Sequence, residues 1–246
     1  MLFGFVMKKL FAVVVLMMLV WHHAFSLDLN ITLNNAGDLI NQVDLSKLDE
    51  VESLTIAGDL NGTDILVIRK MVNMLILDMS DANIVYGGNS YYEDYTTSKD
   101  KVGDYFFSDN NKIEKIILPN SVTDIENYAF SGCSHLSDVT IGKSIQTIRD
   151  KAFKGCSGLS SLTFLCPTVY AWFSGMTFIK KVVFGEGVKT IGYRAFEGCT
   201  GLMDVIIGNG VTDIGVFAFG SCVSLTSVEI PNSVITISES AFAHCI

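Results

Sequence analysis

Tyr193-Arg194-Ala195-Phe196-Glu197-Gly198-Cys199-Thr200-Gly201-Leu202-Met203-Asp204-Val205-Ile206-Ile207 is one unit of a pattern that recurs along most of the chain. Its marker is the phenylalanine. The intervals between Phe107, Phe130, Phe153, Phe173, Phe196, Phe219 and Phe242 are 23, 23, 20, 23, 23 and 23. At the third position after each come Asn110, Cys133, Cys156, Met176, Cys199, Cys222 and Cys245, and at the third after that an aliphatic residue opens a triplet. The triplets are Ile113/Ile116/Leu118, Leu136/Val139/Ile141, Leu159/Leu162/Phe164, Ile179/Val182/Phe184, Leu202/Val205/Ile207 and Leu225/Val228/Ile230. Upstream, Met74/Leu77/Met79 and Val51/Leu54/Ile56 keep the spacing, and one further step back reaches Ile31 and Leu33.

The last two aliphatics of each triplet alternate with variable residues, the signature of a short strand with one buried face. A turn follows each strand, built from residues such as Pro119-Asn120-Ser121, Gly208-Asn209-Gly210 and Pro231-Asn232-Ser233. Val122/Ile125/Ala129/Phe130/Cys133 then fall at roughly helical spacing, which predicts a helical turn on the return leg. A unit this short cannot bury its apolar face alone, but stacked on its neighbours it can. Two departures stand out. The step from Met74 to Ile113 is longer than the period, and its excess matches a polar, Tyr-rich insertion at 87–101. The unit Cys166-Pro167-Thr168-Val169-Tyr170-Ala171-Trp172-Phe173 falls short of the period by three.

The repeats reading Ala-Phe-x-Gly-Cys, as at 195–199 and 152–156, each followed by Leu-x-x-hydrophobic, closely resemble BspA-type leucine-rich repeats, as does Pro231-Asn232-Ser233-Val234-Ile235-Thr236-Ile237. The match covers roughly residues 103–246; Leu60-Asn61-Gly62-Thr63-Asp64-Ile65 and Leu77-Asp78-Met79-Ser80-Asp81-Ala82 look like the amino-terminal region of such proteins. The resemblance implies a leucine-rich-repeat solenoid, with parallel strands on the concave side and short helical turns on the convex side. It also implies adhesion to host or microbial proteins by a surface or secreted protein, without a family-wide set of catalytic residues. On this reading 27–86 hold an N-terminal cap and the first repeats, 87–101 the insertion loop, and 102–246 the BspA-type repeats. Ile246 directly follows Cys245, partway through a repeat with no polar cap after it, which makes end-to-end self-association available.

Residues 1–26 read as a signal peptide: Lys8 and Lys9 precede the apolar run Leu10–Trp21, and Ala24-Phe25-Ser26 supplies small residues at a cleavage site. That run is well short of the roughly 20 residues that a spanning helix needs. The expected location is therefore secreted or cell-surface, with membrane contact only through the cleaved leader. Without the leader the chain keeps 15 basic and 26 acidic residues, a charge of −11 that disfavours nucleic acid and anionic lipid.

Little in the residues suggests chemistry. Five of the six cysteines occupy one repeat station, where Cys serves as a small apolar residue; stacked rungs also bring thiols within disulfide reach, so both readings stand. Cys166 lies off the station and reads as a free thiol. With no CxxC pair and only His135 and His244 after the leader, neither a metal site nor a catalytic triad is expected, and no cofactor. Thr63 is placed to cap a helix over Asp64–Met71.

What remains is surface. Ile117, Thr140, Thr163, Val183, Ile206 and Glu229 lie between the buried strand aliphatics and form the candidate ligand-binding face, a β-branched column beside Lys115, Asp138, Ser161, Lys181, Asp204 and Ser227. A protein ligand suits an apolar strip rimmed by charge, and β-branched residues also simply favour strands. Tyr91, Tyr92 and Tyr95 in the insertion are the second candidate, for a glycan, or else a cluster packing the loop onto the solenoid.

Overall fold

The computed structural model describes residues 26–245; apart from Ser26 the expected leader lies outside them, as does Ile246. The chain begins with β1 (Leu27–Thr32), β2 (Val51–Leu60), β3 (Ile76–Asp78), β4 (Ala82–Ile84), β5 (Gly87–Tyr92), β6 (Tyr95–Thr97) and β7 (Lys101–Val102). It continues through β8 (Lys115–Ile117), β9 (Asp124–Ile125), β10 (Asp138–Ile141), β11 (Thr147–Ile148), β12 (Ser161–Phe164) and β13 (Thr168–Val169). The last are β14 (Lys181–Phe184), β15 (Thr190–Ile191), β16 (Asp204–Ile207), β17 (Asp213–Ile214) and β18 (Thr236–Ile237).

The long sheet runs β1-β2-β3-β8-β10-β12-β14-β16, with β4 joined to β2. The triplets set its register. Leu54 pairs with Leu77, Leu77 with Ile116, Ile116 with Val139, Val139 with Leu162, Leu162 with Val182 and Val182 with Val205. Each is buried, because a one-residue slip would turn the whole apolar set outward. The first step departs from the expected period: Leu54 and Ile56 pair with Leu29 and Ile31, two positions further back than the repeat places them, with Leu33 beyond. The loop Asn34–Glu50, which holds the short helix Leu39–Gln42 and a 3-10 turn at Leu45–Glu50, takes up the difference.

The return leg also departs from expectation. Instead of helical turns, each full repeat makes a two-residue strand and then a chain of tight turns. The strands build two further parallel ladders, β7-β9-β11 and β13-β15-β17-β18. The interruption falls at the shortened repeat, where β11 and β13 do not pair. In the turns, the amide of Phe130 donates to Ala152 O (2.8 Å), that of Phe196 to Ala218 O (2.8 Å) and that of Phe219 to Ala241 O (2.8 Å). The β-ladder geometry repeats at the turn because the backbone groups of a rung that cannot pair within it must pair with the next.

The core is this repetition seen from inside. Phe107, Phe130 and Phe153 stack with centroids 5.7 and 5.1 Å apart, and Phe196, Phe219 and Phe242 at 5.8 and 5.2 Å. At the shortened repeat the parallel stack is interrupted, and Phe164 meets Phe173 and Phe196 edge-on at 5.7 Å. The cysteines are free and pack against the ladder, and each repeat thiol also donates to a phenylalanine carbonyl one rung back: Cys133 to Phe107 (3.2 Å), Cys156 to Phe130 (3.0 Å), Cys199 to Phe173 (3.2 Å), Cys222 to Phe196 (3.2 Å) and Cys245 to Phe219 (3.2 Å). Cys166 is free and buried as well.

At the second position after each phenylalanine the backbone enters the left-handed region, which explains why glycine recurs there: Gly132, Gly155, Gly175 and Gly198 have φ between 72° and 79°. At the amino-terminal end, Asn61 caps the helix Gly62–Ile68, not Thr63, whose amide donates to Asn61 Oδ1 (2.9 Å). Asp64 completes the capping box through Asn61 N–H (2.9 Å) and also accepts from Gly37 N–H (2.6 Å) and Leu39 N–H (3.0 Å). One fully buried carboxylate thus ties the first loop to the second rung. The last triplet behaves differently: Ser227–Ile230 forms no strand with β16.

Three outcomes follow from these contacts. Asp64→Ala leaves three amides at this junction without their acceptor and is expected to cost about 3 kcal/mol in a denaturant titration. Gly198→Ala, where a Cβ finds ordinary van der Waals room, is expected to lose about 1 kcal/mol through backbone conformation alone. Burial pushes the Cys156, Cys199 and Cys222 thiols from 9.0 up to about 12. The unfolded chain therefore releases these protons first, so stability is intact below pH 9 and falls as pH rises from 9 toward 12. Denaturant midpoints at pH 8 and pH 10.5 check this, and a thiol reagent at pH 8 is expected to reach half-buried Cys245 well before the others.

Candidate functional site

Parallel pairing aligns the outward side chains as strictly as the inward ones. Thr140, Thr163, Val183 and Ile206 are direct register partners across four strands, and Asp78 pairs with Ile117. The column is thus contiguous over these strands, and Ile206 at its end is 46% exposed. Two positions earlier along each strand run Ser53, Ile76, Lys115, Asp138, Ser161, Lys181 and Asp204, also register partners. Lys181 Nζ sits 3.0 Å from Asp204 Oδ2, an exposed pair that sets charge on the face more than it adds stability. Ile76, 42% exposed, belongs to this surface and is missing from the sequence-derived column, since it stands one station earlier. Met203, at the margin before β16, is likewise exposed. Glu229 lies outside the sheet, because its rung forms no strand there.

The insertion is a β-hairpin, not an open loop, with β5 antiparallel to β6. It packs against the helix Gly62–Ile68, where the Asn89 amide donates to Thr63 Oγ1 (3.0 Å). The three candidate tyrosines separate. Tyr91 is 3% exposed, meets Phe106 edge-on at 4.9 Å and donates its hydroxyl to Asp104 O (2.9 Å), so it is part of the core. Tyr92 stacks on Tyr105 at 4.7 Å and 11°. Only Tyr95 is exposed, at 38%.

Tyr105 in turn stacks on Tyr128 (5.0 Å, 6°), and Lys151 and Lys154 lie 5.5 and 5.9 Å from the Tyr128 ring. This surface ladder occupies the station two before each core phenylalanine; further along, Arg194 at the same station lies over Phe217 at 5.7 Å and over Tyr193 at 5.0 Å. The sequence carried the signal, since Tyr105 and Tyr128 are one full period apart, but an exposed station has no apolar pattern to mark it. Arg69 anchors the junction: it donates to Tyr105 O (2.6 Å) and Phe106 O (2.9 Å), lies 5.1 Å from the Tyr92 ring, and burial holds its pKa below the usual arginine value. Because these rings cover one another's faces, the ladder fastens the hairpin to the solenoid and offers mainly edges and hydroxyls outward.

Among the described residues no group of three or more His, Cys, Asp or Glu is placed to hold a metal ion, and no helix is long and apolar enough to cross a membrane. The buried thiols are protonated at neutral pH and face carbonyls, which is packing chemistry rather than nucleophilic chemistry.

The chain is similar in structure to a leucine-rich repeat protein from Eubacterium ventriosum (20% identity, 80% of this chain and 60% of that one, TM-score 0.49). It is similar also to a leucine-rich repeat protein from Bacteroides ovatus (17% identity, 76% and 62%, TM-score 0.30). A third is a leucine-rich cell surface protein from Faecalibacterium prausnitzii (22% identity, 81% and 56%, TM-score 0.33). The chain spans between 56% and 62% of the length of these three. No curated protein matches it. The family model for the BspA-type leucine-rich repeat region matches in six copies over residues 100–175 and 169–246. With the repeating rung, the Phe and Cys columns and the parallel sheet in agreement, this chain belongs to the BspA-type leucine-rich repeat family.

Proposed function

We propose that this chain is a non-catalytic binding protein, secreted or displayed at the cell surface, that engages a host or microbial protein through the outer face of its long sheet. The observation that carries this is the register-aligned column Thr140–Thr163–Val183–Ile206, with exposed Ile206 at its end and the Lys181–Asp204 pair beside it. A β-branched strip held in a hydrogen-bonded sheet, with charge beside it, loses little entropy on binding and suits protein recognition. The hairpin favours the alternative glycan reading less, because Tyr91 is in the core and Tyr92 is stacked.

Arrays of mammalian extracellular proteins and bacterial surface proteins, probed with the wild-type chain, test the face. Val183→Glu and Ile206→Glu are expected to reduce capture at least tenfold, since a buried unpaired charge at an interface costs more than about 1.4 kcal/mol. The circular dichroism spectrum and melting temperature should stay as in the wild type. Capture unchanged in both variants refutes the sheet-face assignment. A Tyr95→Ala chain on a glycan array tests the hairpin, with no change expected. Export is checked by sequencing the amino terminus of the product recovered outside the cell, which is expected to start at Leu27.

A further inference from the structure

The final rung parts from the sheet on one leg only. Its return leg is joined to the rung before it: Ile235 N–H donates to Thr212 O (2.8 Å), Ser238 N–H to Ile214 O (2.9 Å), and Phe219 N–H to Ala241 O (2.8 Å). Its strand leg, Ser227–Ile230, has no backbone bond to β16 among the described residues. A slot of about 430 Å³ lies there, walled by Val205, Ile206 and Asn209 on one side and Ser227, Glu229 and Pro231 on the other. That is far more than the ~30 Å³ share of a single water bridging a stretched ladder bond.

The edge bordering the slot is a template. In a parallel ladder alternate residues bond to opposite sides. Asp204 N–H donates to Lys180 O (3.0 Å) and Gly208 N–H to Phe184 O (2.8 Å), so residues 204, 206 and 208 face β14. The amides and carbonyls of Val205 and Ile207 therefore point into the slot, and neither amide has a backbone acceptor there among the described residues. Open edges of this kind bind extended chains by adding a strand.

We propose that this edge takes an extended polypeptide segment carrying a basic residue two positions from an apolar one, bound as an added β-strand. The register specifies the side chains. Across the outer face Lys115 pairs with Asp138 and Lys181 with Asp204, and the other side of the exposed Asp204 carboxylate borders the slot, where a basic residue meets it. Two positions on, the neighbour is exposed Ile206, which an apolar side chain covers. Glu229, which forms no ion pair among the described residues, supplies negative charge on the far wall. This inference deepens the protein-binding reading by naming the segment, but it rests on the strand edge rather than on the sheet face.

The test uses the full chain and a capped, fluorescently labelled peptide Lys-Ala-Val-Ala-Lys. In the free protein the Val205 and Ile207 amides should exchange hydrogen at least about 100-fold faster than the Leu162 amide in the sheet interior, and the peptide should slow them. Glu in place of both lysines, or N-methylation of alternate peptide amides, should weaken binding at least about tenfold, and Glu229→Lys about fivefold. Capture of array proteins and affinity for this peptide are read in separate assays on the wild-type chain, so that failure of the sheet-face reading shows separately. Protection of Val205 and Ile207 in the free chain equal to that of Leu162, or equal affinity for basic, acidic and N-methylated peptides, overturns the proposal.

Discussion

The hydrogen-bonded and stacked contact made at Phe107, Phe130, Phe196 and Phe219 is the constraint on which the rest of the solenoid depends. At Phe130 the ring stacks on Phe153 at 5.1 Å, the amide donates to Ala152 O and the carbonyl accepts the Cys156 thiol at 3.0 Å. Three groups of one residue thus join two rungs at once, and all are inside, where an unmet donor or acceptor is expensive. This is why the period is held so closely. A rung that gains or loses residues elsewhere must still bring its phenylalanine to this position. Even the shortened repeat, which breaks the return-leg ladder, keeps Phe173 buried in the column at 5.4 Å from Phe153.

A core built this way leaves the outside free to vary from rung to rung. The outward column on the long sheet, the tyrosine ladder on the turns and the opened strand leg after β16 are three surfaces made by the same repeat. They differ in what they offer. The sheet column offers aliphatic area with charge beside it. The tyrosine ladder spends its ring faces on neighbouring rings and on Lys151 and Lys154, so it mainly secures the hairpin. The edge at Val205 and Ile207 offers backbone hydrogen bonds, which carry affinity for any extended segment while the side chains alongside set selectivity.

The repeat, the strands of the long sheet and the core are legible in the amino-acid pattern, whereas the two-residue strands of the return leg are not. A residue fully buried in every rung recurs in every rung, so Phe, Cys and the aliphatic triplets mark their own positions at a fixed period, and parallel register follows because only one alignment buries them all. The sequence also placed Thr140, Thr163, Val183 and Ile206 on one outward column, since alternation along a strand is a local property. What only the tertiary structure decided lies where contacts join different rungs without a pattern. The capping of the first helix by Asn61 rather than Thr63 depends on Asp64 also reaching the amides of Gly37 and Leu39. The fate of Tyr91, in the core, and of Tyr92, stacked on Tyr105, depends on how a hairpin folds back onto a neighbouring rung. The pairing of Leu29 with Leu54, and the parting of Ser227–Ile230 from β16, depend on loop lengths and end contacts. Periodicity is blind to these, because it reports what each repeat shares and not what one rung does alone.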